Sequence, residues 1–274
     1  MMVFVDLLLS QPKWLVLTGA GVSAASGVPT YRNPQGEWQR KPPVTHQEFV
    51  ASVSSRQRFW ARNIVGWRFM ASAQPNSAHR TLLQLEHRGV IAGLITQNVD
   101  GLHQRAGSTA TVDLHGRIDR VSCLSCGVSQ SRESLQPWFA TYNAEFVALT
   151  GQIAPDGDAD IDDLDYRQLV IPDCARCGGV LKPDAVFFGD SIPATRVRAV
   201  EQMMAQAPAL LVIGSSLQTY SGYRFCLWAK QQQKPIALLT KGVTRADHLA
   251  TVKAPDDCIP LLHQWLARMG RDLK

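Results

Sequence analysis

Five short apolar, β-branched runs recur along the chain, each closed by glycine or a polar residue. They are WLVLTG (14–19), VIAGLIT (90–96), AVFF (185–188), ALLVIG (209–214) and PIALLT (235–240). Their residues are apolar in sequence rather than in alternation, the pattern of strands covered on both faces and hence of a parallel sheet. Between them, NSAHRTLLQLEHRG (76–89) and TRVRAVEQMMAQA (195–207) carry apolar residues at helical spacing, with Gly89 as a stop. The alternation predicts an α/β fold: a Rossmann-like, doubly wound parallel sheet.

Two segments break the alternation. Residues 33–75 hold Pro34, Pro42, Pro43 and Pro75 with Trp38, Trp60 and Trp67, which reads as a loop followed by helices. Residues 119–180 hold two Cys-x-x-Cys pairs and begin and end beside sheet-like runs, which reads as a small inserted domain. The expected division is therefore 1–35, 76–118 and 181–274 for the Rossmann-like domain, 36–75 for a loop and helical insert, and 119–180 for the small domain. Within the last, DGDADIDDLD (156–165) has aspartates at the alternate positions of a calcium loop. Ile161 replaces the sixth-position glycine and Arg167 the twelfth-position glutamate, so a solvated acidic loop is expected.

The chain has 274 residues, 45% hydrophobic and 19% charged, enough to bury a core and too apolar for disorder. The net charge of +5 comes without a Lys/Arg-rich run, so a nucleic-acid footprint is not expected, whereas an anionic cofactor or a basic protein substrate is compatible. No apolar run approaches the ~18 residues of a membrane span. The N-terminal MMVFVDLLLSQPKW lacks a basic leader, is interrupted by Asp6 and offers no cleavage site. A soluble intracellular protein is expected. In that setting, paired cysteines point to metal rather than to disulfides.

The chemistry-bearing stretches lie at the ends of the strand-like runs. Gly19, Ala20 and Gly21 follow the first, a turn that lets backbone approach a pyrophosphate; a tight turn with no ligand is the plainer alternative. The acid expected ~20 residues on in a dehydrogenase-like unit is missing, because YRNPQGEWQRKPP cannot be a central strand, so a long loop is expected to hold the cofactor. Gln97, Asn98 and Asp100 follow the second run and suit a carboxamide and a ribose, or simply a turn; His103, in the same loop, reads as a helix-face residue. Gly214, Ser215 and Ser216 follow a later strand as a phosphate or ribose contact at a helix start, or as an N-cap. Cys123 and Cys126 with Cys174 and Cys177, each pair followed by glycine, form two knuckles able to give Zn²⁺ four thiolates. Such a site is closed and therefore structural. His115 stands eight residues before Cys123. With four sulfurs present it is not needed by the metal, which leaves a buried histidine or a reaction centre.

In order, GAGVSAASGVPTYR, TQNVDGLH, LHG, the two Cys-x-x-Cys pairs, KPDAVFFGD and GSSLQ resemble the sirtuin family over residues 14 to about 262. RQRFWARNIVGW, APDGDAD and GSSLQTYSGYRF resemble its class II branch, similar to mitochondrial sirtuin 4 and bacterial relatives. The resemblance implies an NAD-consuming protein-lysine deacylase with structural zinc, acting on acyl-lysine proteins or peptides. Gly19, Ala20, Gly21, Ser23 and Arg32 would lie in the cofactor loop, and Gln97, Asn98 and Asp100 in the nicotinamide and ribose pocket. Gly214, Ser215 and Ser216, with Thr240, Lys241, Gly242 and Cys258, would hold the adenosine half. Val186, Phe187, Phe188 and Gly189 would pair with the substrate backbone. In the family's mechanism the acyl oxygen attacks C1′ of the nicotinamide ribose, nicotinamide leaves, and His115 acts as general base toward the ribose hydroxyls, with Asn98 and Asp100 beside it. Thr30 and Thr240 stand where Asp and Asn are usual. Asn63 and Gly66 stand where members that remove succinyl groups have Tyr-x-x-Arg, so a preference for short acidic acyl chains is not implied. Protein mono-ADP-ribosyl transfer and, from a different class, a zinc-ribbon nucleic-acid module are the alternatives. A monomer is expected, cytoplasmic in a bacterium or in the mitochondrial matrix of a eukaryote.

Overall fold

The computed structural model describes residues 2–33, 35, 37, 43–154, 156–161 and 164–269. Pro34, Trp38 and Pro42 of the expected cofactor loop lie outside the described residues, as do Asp162 and Asp163 of the acidic loop. The strands are β1 (Trp14–Thr18), β2 (Ile91–Thr96), β3 (Thr111–Asp113), β4 (Gly116–Cys123), β5 (Ser129–Ser131), β6 (Gln152–Ile153), β7 (Ala159–Asp160), β8 (Leu181–Ala185), β9 (Leu210–Ile213), β10 (Ile236–Leu239) and β11 (Val252–Ala254). The helices are α1 (Met2–Ser10), α2 (Ala20–Ser23), α3 (His46–Ala51), α4 (Val53–Ser72), α5 (Ser77–His87), α6 (Leu102–Ala106), α7 (Gln136–Tyr142), α8 (Ala144–Ala148), α9 (Ala194–Gln206), α10 (Tyr220–Gln231) and α11 (Cys258–Met269).

The larger sheet runs β11-β10-β9-β1-β2-β3, and all its pairings are parallel. Every residue of β1, β9 and β10 is buried, as unbroken apolar runs require. Successive side chains alternate between two cores. Trp14 and Val16 face Phe4, Leu8, Leu82 and Trp265 from α1, α5 and α11. Leu15 and Leu17 face Val200, Met204 and Phe225 from α9 and α10. From β1 the chain continues outward to β2 on one side and later returns on the other through β9. The C-terminal ends of β1 and β9 therefore mark the switch point where such sheets leave a crevice.

The smaller lobe is built on the antiparallel sheet β5-β4-β8. Here the expected strand at 185–188 is corrected: β8 covers Leu181–Ala185 and ends where that run begins. Pro183 disguises it, and the strand tolerates a proline because it lies at a sheet edge. One face of α4 joins this lobe. Trp60, Ala61, Ile64 and Val65 share a core with Val121, Leu135, Phe139, Phe146 and Leu181. A Cβ at Gly66 would lie 2.2 Å from the Gly157 carbonyl, so only glycine lets the helix and the acidic loop approach so closely.

The described part of that loop is not solvated throughout, a second correction. Asp158 is buried, and Arg62 Nε donates to its two oxygens at 2.9 and 2.8 Å. Arg62 Nη2 donates to Asp160 at 2.7 Å. A charge run with its cation on a distant helix cannot be told from a solvated face by sequence alone. Arg132 is also fully buried, stacked among Trp60, Trp67 and Phe139 with its guanidinium carbon 4.9–5.6 Å from their ring centres. No described helix is long and apolar enough to cross a membrane.

Candidate active site at the switch point

A cavity of about 650 Å³ opens at the C-terminal ends of β1, β2 and β9. Its first wall is an interlocked pair of glycine turns. Gly19 N–H donates to Ile213 O at 3.0 Å and Gly21 N–H to Gly214 O at 2.9 Å. Gly214 has φ +63, and a Cβ there would lie 2.6 Å from the Val22 nitrogen. Any side chain would force the two loops apart, so bare backbone faces the cavity.

The loop after β2 forms the floor. Ser23 Oγ donates to Asp100 Oδ2 at 2.6 Å, and Leu102 N–H donates to Asp100 Oδ1 at 2.9 Å. Burial raises the Asp100 pKa, against those two hydrogen bonds. Asn98 Nδ2 donates to Ser23 Oγ at 3.0 Å and to Gly19 O at 3.2 Å, which turns its NH₂ into the wall. Gln97 is clamped: its Oε1 accepts from Ser215 Oγ at 2.5 Å, and its Nε2 donates to Thr219 Oγ1 at 3.3 Å.

His115 sits at the junction of the two lobes, between the end of β3 and the start of β4. Gly116 permits this corner. It has φ +76, and a Cβ would lie 1.9 Å from Asp184 O. His115 Nδ1 lies 2.9 Å from the Gln97 carbonyl oxygen, and Nε2 lies 2.8 Å from Ser221 Oγ. A carbonyl only accepts, so Nδ1 carries the proton and Nε2 presents a lone pair. Burial lowers the His115 pKa to about 4, helped by Arg196 and Arg224 and opposed by the bond to Gln97. The arrangement is a neutral, oriented imidazole facing a cavity, which is what a general base needs.

The remaining expected residues fall around this centre. Ala20, Arg32, Ser216, Thr240, Lys241 and Cys258 line the cavity with those above. Ser23 lies behind the wall it braces, and Gly242 is off the cavity, its carbonyl accepting from Lys253 Nζ at 2.8 Å. Ser215 and Ser216 do not begin a helix, as the spacing suggested; they stand in a loop, and α10 starts at Tyr220. His103 lies on α6, as read, buried with Nε2 3.0 Å from Thr18 Oγ1. Val186 through Gly189 line the opposite wall, past the end of β8. Val186 N–H donates to His115 O at 2.8 Å, while His46 N–H donates to Phe188 O at 2.9 Å and Gln47 Nε2 to Gly189 O at 2.8 Å. Asn63 and Gly66 are not part of the cavity wall; Asn63 Oδ1 accepts from Arg132 Nε at 2.7 Å inside the small lobe. Sequence reasoning missed Thr219, Ser221 and Gln47. The first two lie within GSSLQTYSGYRF, but nothing in their spacing links them to His115, since Ser221 is 106 residues away.

The four paired cysteines meet. Their sulfurs all lie within 4.8 Å of one another, with Cys123–Cys177 at 3.5 Å and Cys126–Cys174 at 3.7 Å. A tetrahedral ion with ~2.3 Å Zn–S bonds requires sulfurs about 3.8 Å apart. The spacing suits a metal and excludes disulfides. The donor set is all sulfur, so the site fits zinc and leaves it no open position.

Residues 19–221 match the model of the Sir2 family. The NAD-dependent protein deacetylase 2 of Bradyrhizobium diazoefficiens is 46% identical over 253 residues, 92% of this chain and 93% of that protein. The NAD-dependent protein deacetylase of Xanthomonas axonopodis pv. citri is 48% identical over 257 residues, 94% of this chain and 88% of that protein. A solved Sir2 structure bound to a propionylated peptide is 27% identical, covers 98% of both chains and superposes with a TM-score of 0.76. Taken with the glycine cradle, the floor residues and the four-sulfur cluster, these likenesses place the chain in the Sir2 family, the sirtuins.

Proposed function

We propose that this chain is an NAD-dependent protein-lysine deacylase that moves the acyl group of an acyl-lysine to ADP-ribose and releases nicotinamide. The observation that carries the reading is the neutral His115 imidazole, its Nε2 lone pair turned toward a cavity walled by two glycine turns. Bare backbone at Gly19, Gly21 and Gly214, with Arg32 nearby, suits the diphosphate of NAD. Ser215, Ser216, Thr240, Lys241 and Cys258 would hold the adenosine half. Gln97, Asn98 and Asp100 would hold the nicotinamide and its ribose.

NAD, when bound, supplies a labile glycosidic bond whose cleavage leaves ADP-ribose as the acyl acceptor. This chain's residues do the rest. Val186–Gly189 align the peptide. Ser23 and Asp100 fix Asn98. His115 Nε2 serves as the base for a ribose hydroxyl, while the Gln97 carbonyl holds Nδ1–H and stabilises the imidazolium that forms. Zn²⁺ held by Cys123, Cys126, Cys174 and Cys177 supports the lobe that ends at His115 and takes no part in the chemistry.

The proposed division is that expected from sequence (1–35, 76–118 and 181–274; 36–75; 119–180); β4 begins before residue 119, β8 lies after residue 180, and α4 shares the small lobe's core. A cytoplasmic monomer without a nucleic-acid partner is the accompanying reading, the last part supported by the lack of a Lys/Arg-rich run. The test is nicotinamide release from NAD with and without an acetyl-lysine peptide. Release that needs the peptide is expected. Release without it, with label from NAD passing to a protein, would instead indicate ADP-ribosyl transfer.

A further inference from the structure

We propose that Ser221 is a catalytic proton relay: the ribose hydroxyl gives its proton to Ser221 Oγ as Ser221 gives its own to His115 Nε2. This rests on the deacylase reading above. The tautomer argument leaves Nε2 as the sole basic atom of His115, and Ser221 Oγ already occupies it at 2.8 Å. A substrate hydroxyl must therefore either displace Ser221 or act through it. Movement of the backbone is opposed by packing at the start of α10, so displacement requires a side-chain rotation that gives up the Ser221 contacts to Nε2 at 2.8 Å and to Thr219 at 3.2 Å. A Cβ at Gly222 would lie 2.5 Å from Gln97 Nε2, and Gln97 is itself clamped by Ser215 and Thr219.

The local hydrogen bonds set the polarity of the relay. Gln97 Nε2 donates to Thr219 Oγ1 at 3.3 Å. Ser221 and Thr219 hydroxyls are 3.2 Å apart. Thr219 Oγ1 is the acceptor in that contact, as it is from Gln97 Nε2. Ser221 has one hydrogen, which it offers either to Thr219 or to the nearer Nε2 lone pair at 2.8 Å. With that hydrogen on Nε2, Ser221 Oγ keeps its lone pairs free to accept, and the residue lines the cavity. The transfer balances. The ribose O–H bond breaks as a new Oγ–H bond forms, the original Ser221 proton passes to Nε2, and serine ends unchanged. His115 ends as an imidazolium donating to Gln97 O and to Ser221 Oγ, with no change of hydrogen-bond partner.

Ser221→Ala and Ser221→Thr test this. In NAD-free protein, ¹⁵N NMR of the His115 ring should show the Nδ1–H tautomer in wild type, and in Ser221→Ala an Nε2 resonance shifted toward that of an unbonded lone pair, because Nε2 has lost its donor. With NAD and acetyl-lysine peptide, exchange of labelled nicotinamide into NAD precedes the base-dependent step. It should stay within about twofold in Ser221→Ala, while acyl transfer to ADP-ribose falls about 100-fold. Ser221→Thr, which keeps the hydroxyl, should recover most of that loss. The proton inventory of acyl transfer should be curved in wild type, for two protons in flight, and linear in Ser221→Ala. Wild-type acyl transfer by Ser221→Ala, or a linear inventory in wild type, overturns the relay and leaves the deacylase reading intact. Absence of peptide-dependent exchange in wild type overturns both.

Discussion

The two lobes that meet at His115 hold themselves together by different means. The larger one is a sheet whose central strands β1, β9 and β10 are buried throughout, with apolar helices on both faces. The smaller one has a thinner apolar core. It adds a four-sulfur cluster, a buried Arg62–Asp158 pair and an arginine stacked on aromatic rings. Hydrophobic burial tolerates chelators, whereas a thiolate metal site does not. The proposed reaction centre lies on the seam, so it should inherit the rigidity of one lobe and the vulnerabilities of the other.

The largest effect expected from this contrast is metal removal. Structural zinc sites contribute on the order of 10 kcal/mol or more to the folding of small domains. Chelation, or Cys174→Ala, should therefore abolish hydrogen-exchange protection in β4, β5 and β8 while β1, β9 and β10 stay protected. Uniform loss across both sheets would break the comparison. Next comes the buried pair. Arg62→Met leaves Asp158 buried without its cation and should destabilise by about 3–5 kcal/mol in urea unfolding. Adding Asp158→Leu should recover much of that loss; additive damage would show that the pair is not the coupled unit described here.

Acid should act mainly on the larger lobe, through its buried histidines. Burial lowers His79 and His115 to about 4 and pulls His103 well below the usual range. The folded state holds these rings neutral, so between about pH 6.5 and 4 the unfolded state binds more protons. Stability is full above the unfolded value near ~6.5 and is lost as pH falls toward 4, by up to about 3 kcal/mol for His79. His79→Leu should flatten that limb of the stability–pH curve. An unchanged slope would sharpen the picture by shifting the acid sensitivity to other groups.

The sequence made the larger lobe far more legible than the smaller one. Unbroken apolar runs closed by turn residues fit doubly covered strands, and 14–19, 209–214 and 235–240 read directly as β1, β9 and β10, whereas 185–188 did not become a strand. The helices at 76–89 and 195–207 followed from their spacing. In the small lobe the same reasoning fails, because its order comes from partners distant in sequence. β8 hides behind Lys182, Pro183 and Asp184, and Asp158 looked solvated because Arg62 lies 96 residues away. The site divides in the same way. Gly19, Gly21, Asn98, Asp100 and the cysteines sit in motifs with their own local logic. Ser221 has meaning only beside His115, and no spacing in the chain brings them together.

The most direct test of the account is acyl transfer by His115→Ala, measured with an acetyl-lysine peptide on protein shown by hydrogen exchange to keep both lobes. The account predicts a fall of about 10²–10⁴-fold, the usual contribution of a positioned general base, with the fold unchanged. Wild-type turnover in that variant would contradict it.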